Sequence, residues 1–464
     1  MPVEAIDEST PKKILPMWAV AAGVAVFGFF FQIGLQYGMR PHAIDGVYYQ
    51  EWSSETMMQT VSIADLRDAP FESLWNIHMQ PPGLDIIRAF LASLSDATDD
   101  QILLRDVDRS LYMLWAVLFG LMGALIYWWL SHMTPWPYAA LGAAVFLFHP
   151  AAIFYSSFLD ATFLSALLIL WMYYCLWQLR RNPEQSIMLF TVATLLLFFT
   201  RSLFQWPAII WFTCSLFLIS VPFRRTILFL VICGSVAGLF TAKQYYRFDT
   251  VRTFGWAGLN LCRGIDVTEP YNMLAYWEYI EKVPDFDDKG SVPRVLVRKK
   301  KLTGMPNFNH LAYLPLNKKI MNHFWQQLPK ISLTDLLASY SKNLAIYLKP
   351  SSRYITGHVI IDRIPWRGVY ERIFSFPVLP GLALVAIISW VIRARKKDLL
   401  SAVGLALPAL YVFLACVMGE QGENMRLKFF LEPVLFVFIA YQLYRVGRRL
   451  AGLGRRALRT ADSH

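Results

Sequence analysis

The chain has 464 residues, of which 56% are hydrophobic, 15% aromatic and only 17% charged, whereas soluble domains carry about 25% charged residues. A mean hydropathy of +0.39 over this length would place too much apolar surface in water, which excludes an ordinary soluble protein. The net charge of +11 does not indicate a nucleic-acid partner, because the arginines stand in short clusters between apolar runs. Five cysteines, mostly in apolar runs, do not indicate a disulfide framework.

Apolar runs long enough to cross a bilayer recur along the chain. They predict an all-α polytopic membrane protein with about ten transmembrane helices. The predicted spans are roughly 14–36, 111–130, 137–155, 158–178, 187–200, 203–221, 226–244, 374–393, 400–418 and 427–444. Lys12 and Lys13 precede the first run, which is too long for the apolar region of a signal peptide, so we expect an uncleaved first span.

Basic clusters predict the orientation of these spans. If the amino terminus is cytoplasmic, every short loop on the cytoplasmic side except Ser131–Pro137 is basic, and so is the carboxyl tail, as the positive-inside rule demands. The basic residues concerned are Arg180, Arg181, Arg224, Arg225, Arg393, Arg395, Lys396, Lys397, Arg445, Arg448, Arg449, Arg455, Arg456 and Arg459. We therefore predict a multi-pass protein of the plasma (inner) membrane with both termini cytoplasmic.

Two long polar segments would then face the outside. The first, 36–110, is acid-rich, and its stretch Asp85–Leu94 has the apolar spacing of an amphipathic helix at the membrane interface. The second, 245–373, is basic and of mixed character, with a predicted helix at Ile331–Leu348. The chain thus divides into an amino-terminal transmembrane module (1–244), this outer segment (245–373), and carboxyl-terminal helices with a basic tail (374–464).

The first outer segment contains two groups of candidate site residues. Asp45, followed by Gly46, Tyr48 and Tyr49, comes shortly after the first span. A carboxylate there can face a lipid headgroup and accept a proton from a hydroxyl, although a solvated turn with Gly46 explains the same residues.

The second group is His78 and Gln80, which precede the Pro81-Pro82 pair. The two prolines predict a rigid entry to the following amphipathic helix. His78 and Gln80 could donate hydrogen bonds to a phosphate, and the alternative is a turn that only starts the helix.

Further candidates lie at the predicted outer ends of later spans. Tyr155 ends the third predicted span and Asp160 stands near the start of the fourth, both on the outer side. Asp160 either complements the helix dipole or serves a site, because a charge at the membrane boundary is costly. Arg201 lies at a predicted outer boundary, where the positive-inside rule gives an arginine no role in topology. Its guanidinium could hold phosphate oxygens with two parallel hydrogen bonds. Alternatively, its side chain only extends to the membrane surface to keep its charge in water.

The last outer loop contains Glu423, Arg426 and Lys428, and we expect Glu432 to lie inside the final helix. Lys428 stands four residues before Glu432, which predicts an ion pair along one helix. Alternatively, Arg426 and Lys428 contact a donor phosphate.

In their order, these motifs resemble a known superfamily. The order is a first span, Asp-Gly-x-Tyr-Tyr at 45–49, His-x-Gln-Pro-Pro at 78–82, Asp160 at the start of the fourth span, and Glu-x-x-Arg-x-x-x-x-x-Glu-Pro at 423–433. It is similar to that of the dolichol-phosphate-mannose protein mannosyltransferases (glycosyltransferase family 39) and their bacterial aminoarabinose transferase-type relatives. The resemblance covers the amino-terminal half and the last helix, but not 245–373.

The resemblance implies a GT-C fold and sugar transfer, with inversion, from a polyprenyl-phosphate donor at the outer membrane face. It implies that Asp45 is the base, that Asp160 is the second outer carboxylate, and that basic residues hold the leaving phosphate. The candidates for that last role are His78, Arg201, Arg426 and Lys428, with Tyr48, Tyr49, Gln80, Tyr155 and Glu423 as further pocket residues. Several relatives have lysine where this chain has Gln80.

The resemblance also bears on cofactors and partners. It fixes no cofactor and leaves a divalent metal open, because metal dependence varies across the superfamily. The implied partners are a lipid-linked sugar donor, a glycan, lipid or protein acceptor, and membrane lipids, with no nucleic acid.

Three other functions fit a chain of this composition. A transporter or lipid flippase without covalent chemistry would be expected to have internal repeats and broken helices that meet in mid-membrane. A structural or assembly membrane protein would tolerate the loss of Asp45, Asp160 and Arg201 together. An O-antigen ligase type of enzyme also uses lipid-linked donors but would activate its acceptor from a long late loop.

Overall fold

The computed structural model describes residues 16–39, 54–55, 60–183, 187–251, 255–271, 275, 278–279, 282, 292–304, 306–354, 364–374, 396–419, 421 and 424–461. Within these residues the secondary structure is helical, apart from one isolated bridge between Lys299 and Pro306. Five helices are long and apolar enough to cross a bilayer. The protein is therefore a helical, membrane-embedded protein.

The amino-terminal half supplies most of the described helices. They are α1 (Met17–Met39), α2 (Ile63–Asp68), α3 (Pro70–Trp75), α4 (Gly83–Ser93), α5 (Asp100–Ser131), α6 (Trp136–Leu147), α7 (Pro150–Ser157), α8 (Ala161–Arg181), α9 (Met188–Thr200), α10 (Trp206–Leu218) and α11 (Phe223–Phe248).

The carboxyl-terminal half continues with shorter helices and then two long ones. They are α12 (Ala257–Gly264), α13 (Tyr313–Gln327), α14 (Leu333–Tyr347), α15 (Arg367–Phe374), α16 (Lys396–Gly419), α17 (Asn424–Lys428) and α18 (Glu432–Ala461). The helix predicted at Ile331–Leu348 is confirmed by α14, and the one at Asp85–Leu94 by α4.

The predicted count of ten spans is only partly matched. The long apolar helices are α1, α5, α8, α11 and α16, whereas α9 and α10 have 13 residues each and extend about 20 Å at 1.5 Å per residue. The predicted span at 374–393 lies outside the described residues, except for its first position. Ten spans and a GT-C fold therefore stay predictions.

The predicted span at 137–155 is divided between two helices. The helices α6 and α7 are bent by 58° relative to each other, with Phe148 and His149 at the break. Pro150 occupies the first turn of α7, and the His149 side chain caps that turn by accepting the backbone N–H of Ala151 at 3.1 Å. A proline at the first helical position starts a new helix rather than continuing the old one.

The helix that contains the second predicted span begins earlier in the chain than the span itself. The helix α5 begins at Asp100, not near residue 111, and has 32 residues. At about 48 Å it exceeds the roughly 30 Å hydrocarbon core. Its amino-terminal turns therefore lie beyond a bilayer-spanning length and pack against α2 and α4.

Helix α4 has an inverted polarity. Asp85 and Arg88 are fully buried, while Ile86, Phe90 and Leu94 on the opposite side are exposed. An apolar outer surface over a charged interior favours a helix that faces lipid, as expected for an interfacial helix.

Close backbone contact joins α1 to α5. A Cβ atom at Gly28 would lie 2.9 Å from the Cα of Gly120, and a Cβ atom at Gly120 would overlap the carbonyl oxygen of Ala25. Small residues at such crossings let membrane helices approach closely, so that dispersion forces hold them together.

We expect the Gly120→Ala variant to be destabilised by about 1–3 kcal/mol, because the added methyl group must separate the two backbones. Gly23→Ala on α1 is the matched control, since a Cβ there meets nothing within 4 Å and alanine is the better helix former. The measurement is the thermal unfolding midpoint of each purified variant. Equal midpoints for the two variants would contradict the close packing of α1 on α5.

Candidate functional site

Asp160 is the amino-terminal cap of α8. Its carboxylate accepts the backbone N–H of Thr162 at 2.8 Å and the Thr162 hydroxyl at 2.6 Å. The cap uses the short polar side chain and the partial positive charge at the helix start. The helix-terminal position predicted for Asp160 is therefore found, and the carboxylate is buried.

Two arginines from distant parts of the chain converge on Asp160. Arg201, at the end of α9, places its Nη2 atom 3.1 Å from Asp160 Oδ2 and donates to the Thr162 hydroxyl oxygen at 2.6 Å. Arg426, in α17, places its Nη1 atom 3.5 Å from the same carboxylate oxygen. Asp160, Thr162, Arg201 and Arg426 are called the Asp160 cluster below.

Aromatic rings line the arginines of the Asp160 cluster. The Arg201 guanidinium lies 5.7 Å from the ring centroid of Phe430, and that of Arg426 lies 5.4 Å from the ring centroid of Tyr354. Both contacts fall within the range of cation–π attraction. Side chains with little freedom and little water around them form stronger electrostatic interactions with an anion than exposed arginines do.

Glu432 begins helix α18 and does not lie inside a helix, which corrects the expectation from sequence. The residues Phe429–Leu431 separate α17 from α18, because a proline follows Glu432 and starts a new helix. The ion pair with Lys428 is present, at 3.6 Å from Lys428 Nζ to Glu432 Oε1. It spans the helix break instead of running along one helix.

Lys428 and Glu432 have further partners. The Lys428 ammonium donates to the Lys349 carbonyl oxygen, and the Ser351 hydroxyl donates to Glu432 Oε1. The other carboxylate oxygen, Glu432 Oε2, lies 3.7 Å from His149 Nε2. The two helix breaks, at His149 and at Glu432, therefore face each other.

Tyr155 forms a wall between the Asp160 cluster and Glu432. Its ring stacks on Phe429 with 4.6 Å between centroids, and its hydroxyl donates to the Ser351 carbonyl oxygen at 3.2 Å. The side chain is fully buried. This predicted pocket residue thus lies beside the site and positions the segment that carries Ser351.

A cleft opens beside Glu432, with about 230 Å³ of empty space, including the part open to the surroundings. It is called the Glu432 cleft below. Its polar lining consists of His149, Ser351, Ser352, Tyr370, Glu371 and Glu432.

Glu371 in this cleft is held by three donors, namely Ser352, Arg353 and Arg367, at 2.7–2.9 Å. Burial raises the pKa of the Glu371 carboxyl, but hydrogen bonds from these three residues outweigh burial and leave that pKa below its ordinary value. Glu371 is therefore a fixed anion. In the sequence, the signal at Glu371 is its spacing of four residues from Arg367, which is typical of an ion pair on one helix. That spacing does not indicate a cleft.

His78 lies in a different place from the other phosphate-binding candidates. The loop at Asn76–His78 is fixed by α11, whose Lys243 and Gln244 donate to the Ile77 carbonyl oxygen at 2.9 and 2.8 Å. The His78 ring packs on Phe248, with 4.5 Å between centroids. No contact found in the described part of the chain joins His78 to Asp160, Arg201 or Arg426.

The environment of His78 is unfavourable for a phosphate ligand. Burial lowers the pKa of its imidazole to about 4, so the ring is neutral at physiological pH. Gln80, next in the motif, donates to Asp85 Oδ2 at 3.4 Å. The motif at 78–82 is thus held to the scaffold, as expected of a turn that starts a helix.

Four predicted residues, Asp45, Tyr48, Tyr49 and Glu423, lie outside the described residues. Asp45 precedes the pair Ser54–Glu55, which is described. A buried charge network, which the sequence did not reveal, holds that pair.

Arg88 is the centre of this network. It donates to Glu55 at 2.9 Å, Asp85 at 2.7 Å, the Ser54 hydroxyl at 3.0 Å and the Val61 carbonyl oxygen at 2.7 Å.

The second outer segment joins the same network. Lys300 is buried and donates to the Glu55 carbonyl oxygen at 3.0 Å and to the Thr60 hydroxyl oxygen at 3.1 Å. Asn307 accepts the backbone N–H of Ser62 at 2.7 Å and donates to Asp65 at 3.0 Å. The two outer segments are therefore joined by buried polar contacts as well as by apolar packing.

Among the residues that the structure describes, no group of three or more His, Cys, Asp or Glu side chains is placed to hold a metal ion. A metal requirement thus stays as open as the resemblance left it.

Comparison with known proteins returned nothing: no family model matches the chain, and no curated protein and no solved structure matches it significantly. The resemblance to the GT-C superfamily therefore stays a prediction that rests on the motifs in the sequence.

We expect the Arg88→Met variant to lose about 3–5 kcal/mol of stability, because it removes the guanidinium that forms ion pairs with the buried carboxylates of both Glu55 and Asp85. Arg105→Met is the matched control, since Arg105 is exposed on the neighbouring helix α5. Thermal unfolding of both purified variants measures the difference. If the Arg88 variant unfolded within a degree or two of the control, the network would not be holding the outer segments.

Proposed function

We propose that the protein is a membrane glycosyltransferase that moves a sugar from a polyprenyl-phosphate donor to an acceptor hydroxyl at the outer face of the membrane. The observation that carries the proposal is the convergence of Arg201 and Arg426 on Asp160. A pair of guanidinium groups fixed by one carboxylate is a suitable holder for phosphate oxygens, because each guanidinium presents a planar set of donors. The order of motifs in the sequence supports the same proposal.

In the proposed reaction, an acceptor oxygen attacks the anomeric carbon as the bond from that carbon to the phosphate oxygen breaks. Asp45 takes the proton of the acceptor hydroxyl. The electron pair of the broken bond stays on the phosphate, whose charge is stabilised by Arg201 and Arg426. Asp160 positions both arginines before the substrate arrives, so that little reorganisation is needed during the reaction.

The position of the site supports a lipid-linked substrate. Asp160, Arg201 and Arg426 stand at the ends of α8, α9 and α17, where the positive-inside rule puts the outer membrane surface. A polyprenyl chain in the bilayer would present its phosphate at that level. A plasma-membrane location with both termini cytoplasmic is part of the proposal.

A transporter or lipid flippase is a second candidate, and one observation favours it. The bent pair α6–α7 and the break between α17 and α18 meet at His149 and Glu432, and discontinuous helices that meet at polar residues are typical of transporters. The two functions differ in their products, because a flippase moves the lipid without making or breaking its glycosidic bond.

We expect Asp45→Asn to abolish sugar transfer, lowering the rate by at least about a hundredfold, because the base is lost. The measurement is release of polyprenyl phosphate from a polyprenyl-phosphate sugar in membranes that contain the chain and envelope acceptors. Asp96→Asn is the control, since Asp96 is an exposed carboxylate in the same outer segment.

Unchanged release by the Asp45 variant would remove Asp45 as the base. If even the unsubstituted chain released no polyprenyl phosphate, yet carried the donor lipid across vesicle membranes, the flippase would replace the enzyme.

We also expect positions 96 and 224 to lie on opposite sides of the membrane. In a Cys214→Ala background, where the remaining native cysteines are buried, cysteine is introduced in turn as Asp96→Cys and Arg224→Cys. An impermeant maleimide added to intact cells should label position 96, and position 224 only after permeabilisation. Labelling of both positions from one side would contradict the topology.

A further inference from the structure

Helix α13 has one buried and one exposed face. The buried face packs with α12 in an apolar core of the second outer segment and consists of Tyr313, Leu316, Ile320 and Phe324. The opposite face, together with the end of the short turn that follows the helix, is called the α13 face below. It is exposed and consists of Lys318, Lys319, Asn322, Trp325, Gln326 and Lys330. The fold thus leaves a face of lysine, amide and tryptophan side chains uncovered.

The α13 face carries positive charge that the described chain does not neutralise. No Asp or Glu occurs in α13 or in the turn that follows it. Within the described residues, the ammonium groups of Lys318, Lys319 and Lys330 form no ion pair. The next carboxylate along the chain, Asp335, accepts the hydroxyl of Ser332 at the start of α14, at 2.6 Å. Three ammonium groups on one face therefore attract an anionic partner.

Trp325 adds a large apolar surface to these charges. Its side chain is 54% exposed, and tryptophan is enriched where proteins bind other molecules. Asn322 and Gln326 flank it on the same face, because residues three and four apart are neighbours on a helix. A sugar ring has an apolar face of C–H groups, which packs on an aromatic ring, and a rim of hydroxyl groups, which exchange hydrogen bonds with amides. The α13 face therefore combines the groups that recognise a sugar and an anion.

The direction of the α13 face favours a partner in the aqueous space over lipid headgroups, although tryptophan and lysine are also common at membrane surfaces. Helix α12 packs on both α13 and the long apolar helix α16. Its contact with α13 is close, since a Cβ atom at Gly258 would lie 2.8 Å from the backbone nitrogen of Met321. The α13 face lies on the opposite side of α13 from this contact, and so it is turned away from α12 and α16.

The segment that carries the α13 face is also joined to the first outer segment. The backbone N–H of Gly255, just before α12, donates to the Met79 carbonyl oxygen at 2.9 Å. The side-chain amide of Asn317, in α13, lies 3.3 Å from the Met79 sulfur. A molecule bound to the α13 face is therefore held by the same outer assembly that follows the segment of Asp45.

We infer that the α13 face binds an anionic glycan, and that this glycan is the sugar acceptor, the second part of which rests on the proposed function. The lysines bind its carboxylates or phosphates, Trp325 packs on a sugar ring, and the two amides bind hydroxyl groups. Helix α13 has 15 residues and extends about 22 Å, which suits a polymer of several sugars better than a single one.

The test measures the affinity of the purified full-length chain, in phosphatidylcholine nanodiscs, for three soluble polymers. Carboxymethyl-dextran combines sugar rings with carboxylates, dextran has the rings alone, and poly-L-glutamate has the carboxylates alone. Carboxymethyl-dextran should bind at least about tenfold more tightly than either of the others, because it alone engages both the lysines and Trp325.

Two variants separate these contributions. Lys318→Gln combined with Lys319→Gln should weaken binding of carboxymethyl-dextran at least about fivefold, as expected for the loss of two exposed charge contacts. Trp325→Ala should weaken it by a similar factor and leave binding of poly-L-glutamate within about twofold, because a polypeptide chain offers no sugar ring. The matched controls replace exposed residues of the first outer segment, should change none of these affinities, and are Arg105→Gln combined with Arg109→Gln, and Trp75→Ala.

Two results would overturn the inference and leave the phosphate site at the Asp160 cluster standing. Equal affinity for poly-L-glutamate and carboxymethyl-dextran would assign the α13 face to an acidic protein. Capture of phosphatidylglycerol vesicles by the unsubstituted chain, lost in the double lysine variant, would assign it to a lipid surface.

The acceptor role is tested by release of polyprenyl phosphate in membranes that contain envelope acceptors. Trp325→Ala should slow release at least about fivefold and leave the affinity for polyprenyl phosphate unchanged, since the donor phosphate is bound elsewhere. Release at the unsubstituted rate would remove the acceptor role. If the unsubstituted chain released no polyprenyl phosphate, the proposed function would fail, while tight binding of carboxymethyl-dextran would still support a glycan site on α13.

Discussion

Buried charge at helix ends is the constraint on which this structure depends. In a membrane-embedded protein an ionised side chain is tolerated only where a partner, a helix terminus or water compensates it. Asp160 has two such compensations, the amino terminus of α8 and the guanidinium groups of Arg201 and Arg426. The same contacts fix the ends of α8 and α9 and helix α17 relative to one another, and in the proposed function they also preorganise the two guanidinium groups for an anion.

The Arg88 network compensates buried charge in the two outer segments. Arg88 and Lys300 connect the first and second outer segments through Glu55 and Asp85. Replacing such a network by apolar residues can leave stability unchanged, so its use here favours a role in fixing geometry. It holds the chain just after the segment that contains Asp45, the proposed base, and the proposed reaction requires that segment to be positioned accurately.

The sequence predicted the local features well and the tertiary partners only in part. Helices α4 and α14 follow from apolar spacing, and the cap at Asp160 follows from a carboxylate before an apolar run. The break at His149 was missed because hydropathy averages across it, although Pro150 was a signal for a helix start. The pairing of Arg88 with Glu55, and of Glu371 with Arg353, depends on which segments meet in space, and spacing along the chain does not encode that. The neighbours of His78 likewise come from a distant helix, α11, which spacing along the chain does not encode.

In the proposed function, Arg201 and Arg426 together hold the phosphate of a polyprenyl lipid. The most direct measurement is a cryo-electron microscopy structure of the full-length chain in lipid nanodiscs with bound polyprenyl phosphate. We expect phosphate density within about 3 Å of both guanidinium groups, beside the amino terminus of α8. Phosphate density elsewhere on the protein, with the Asp160 cluster unoccupied at saturating lipid, would contradict it.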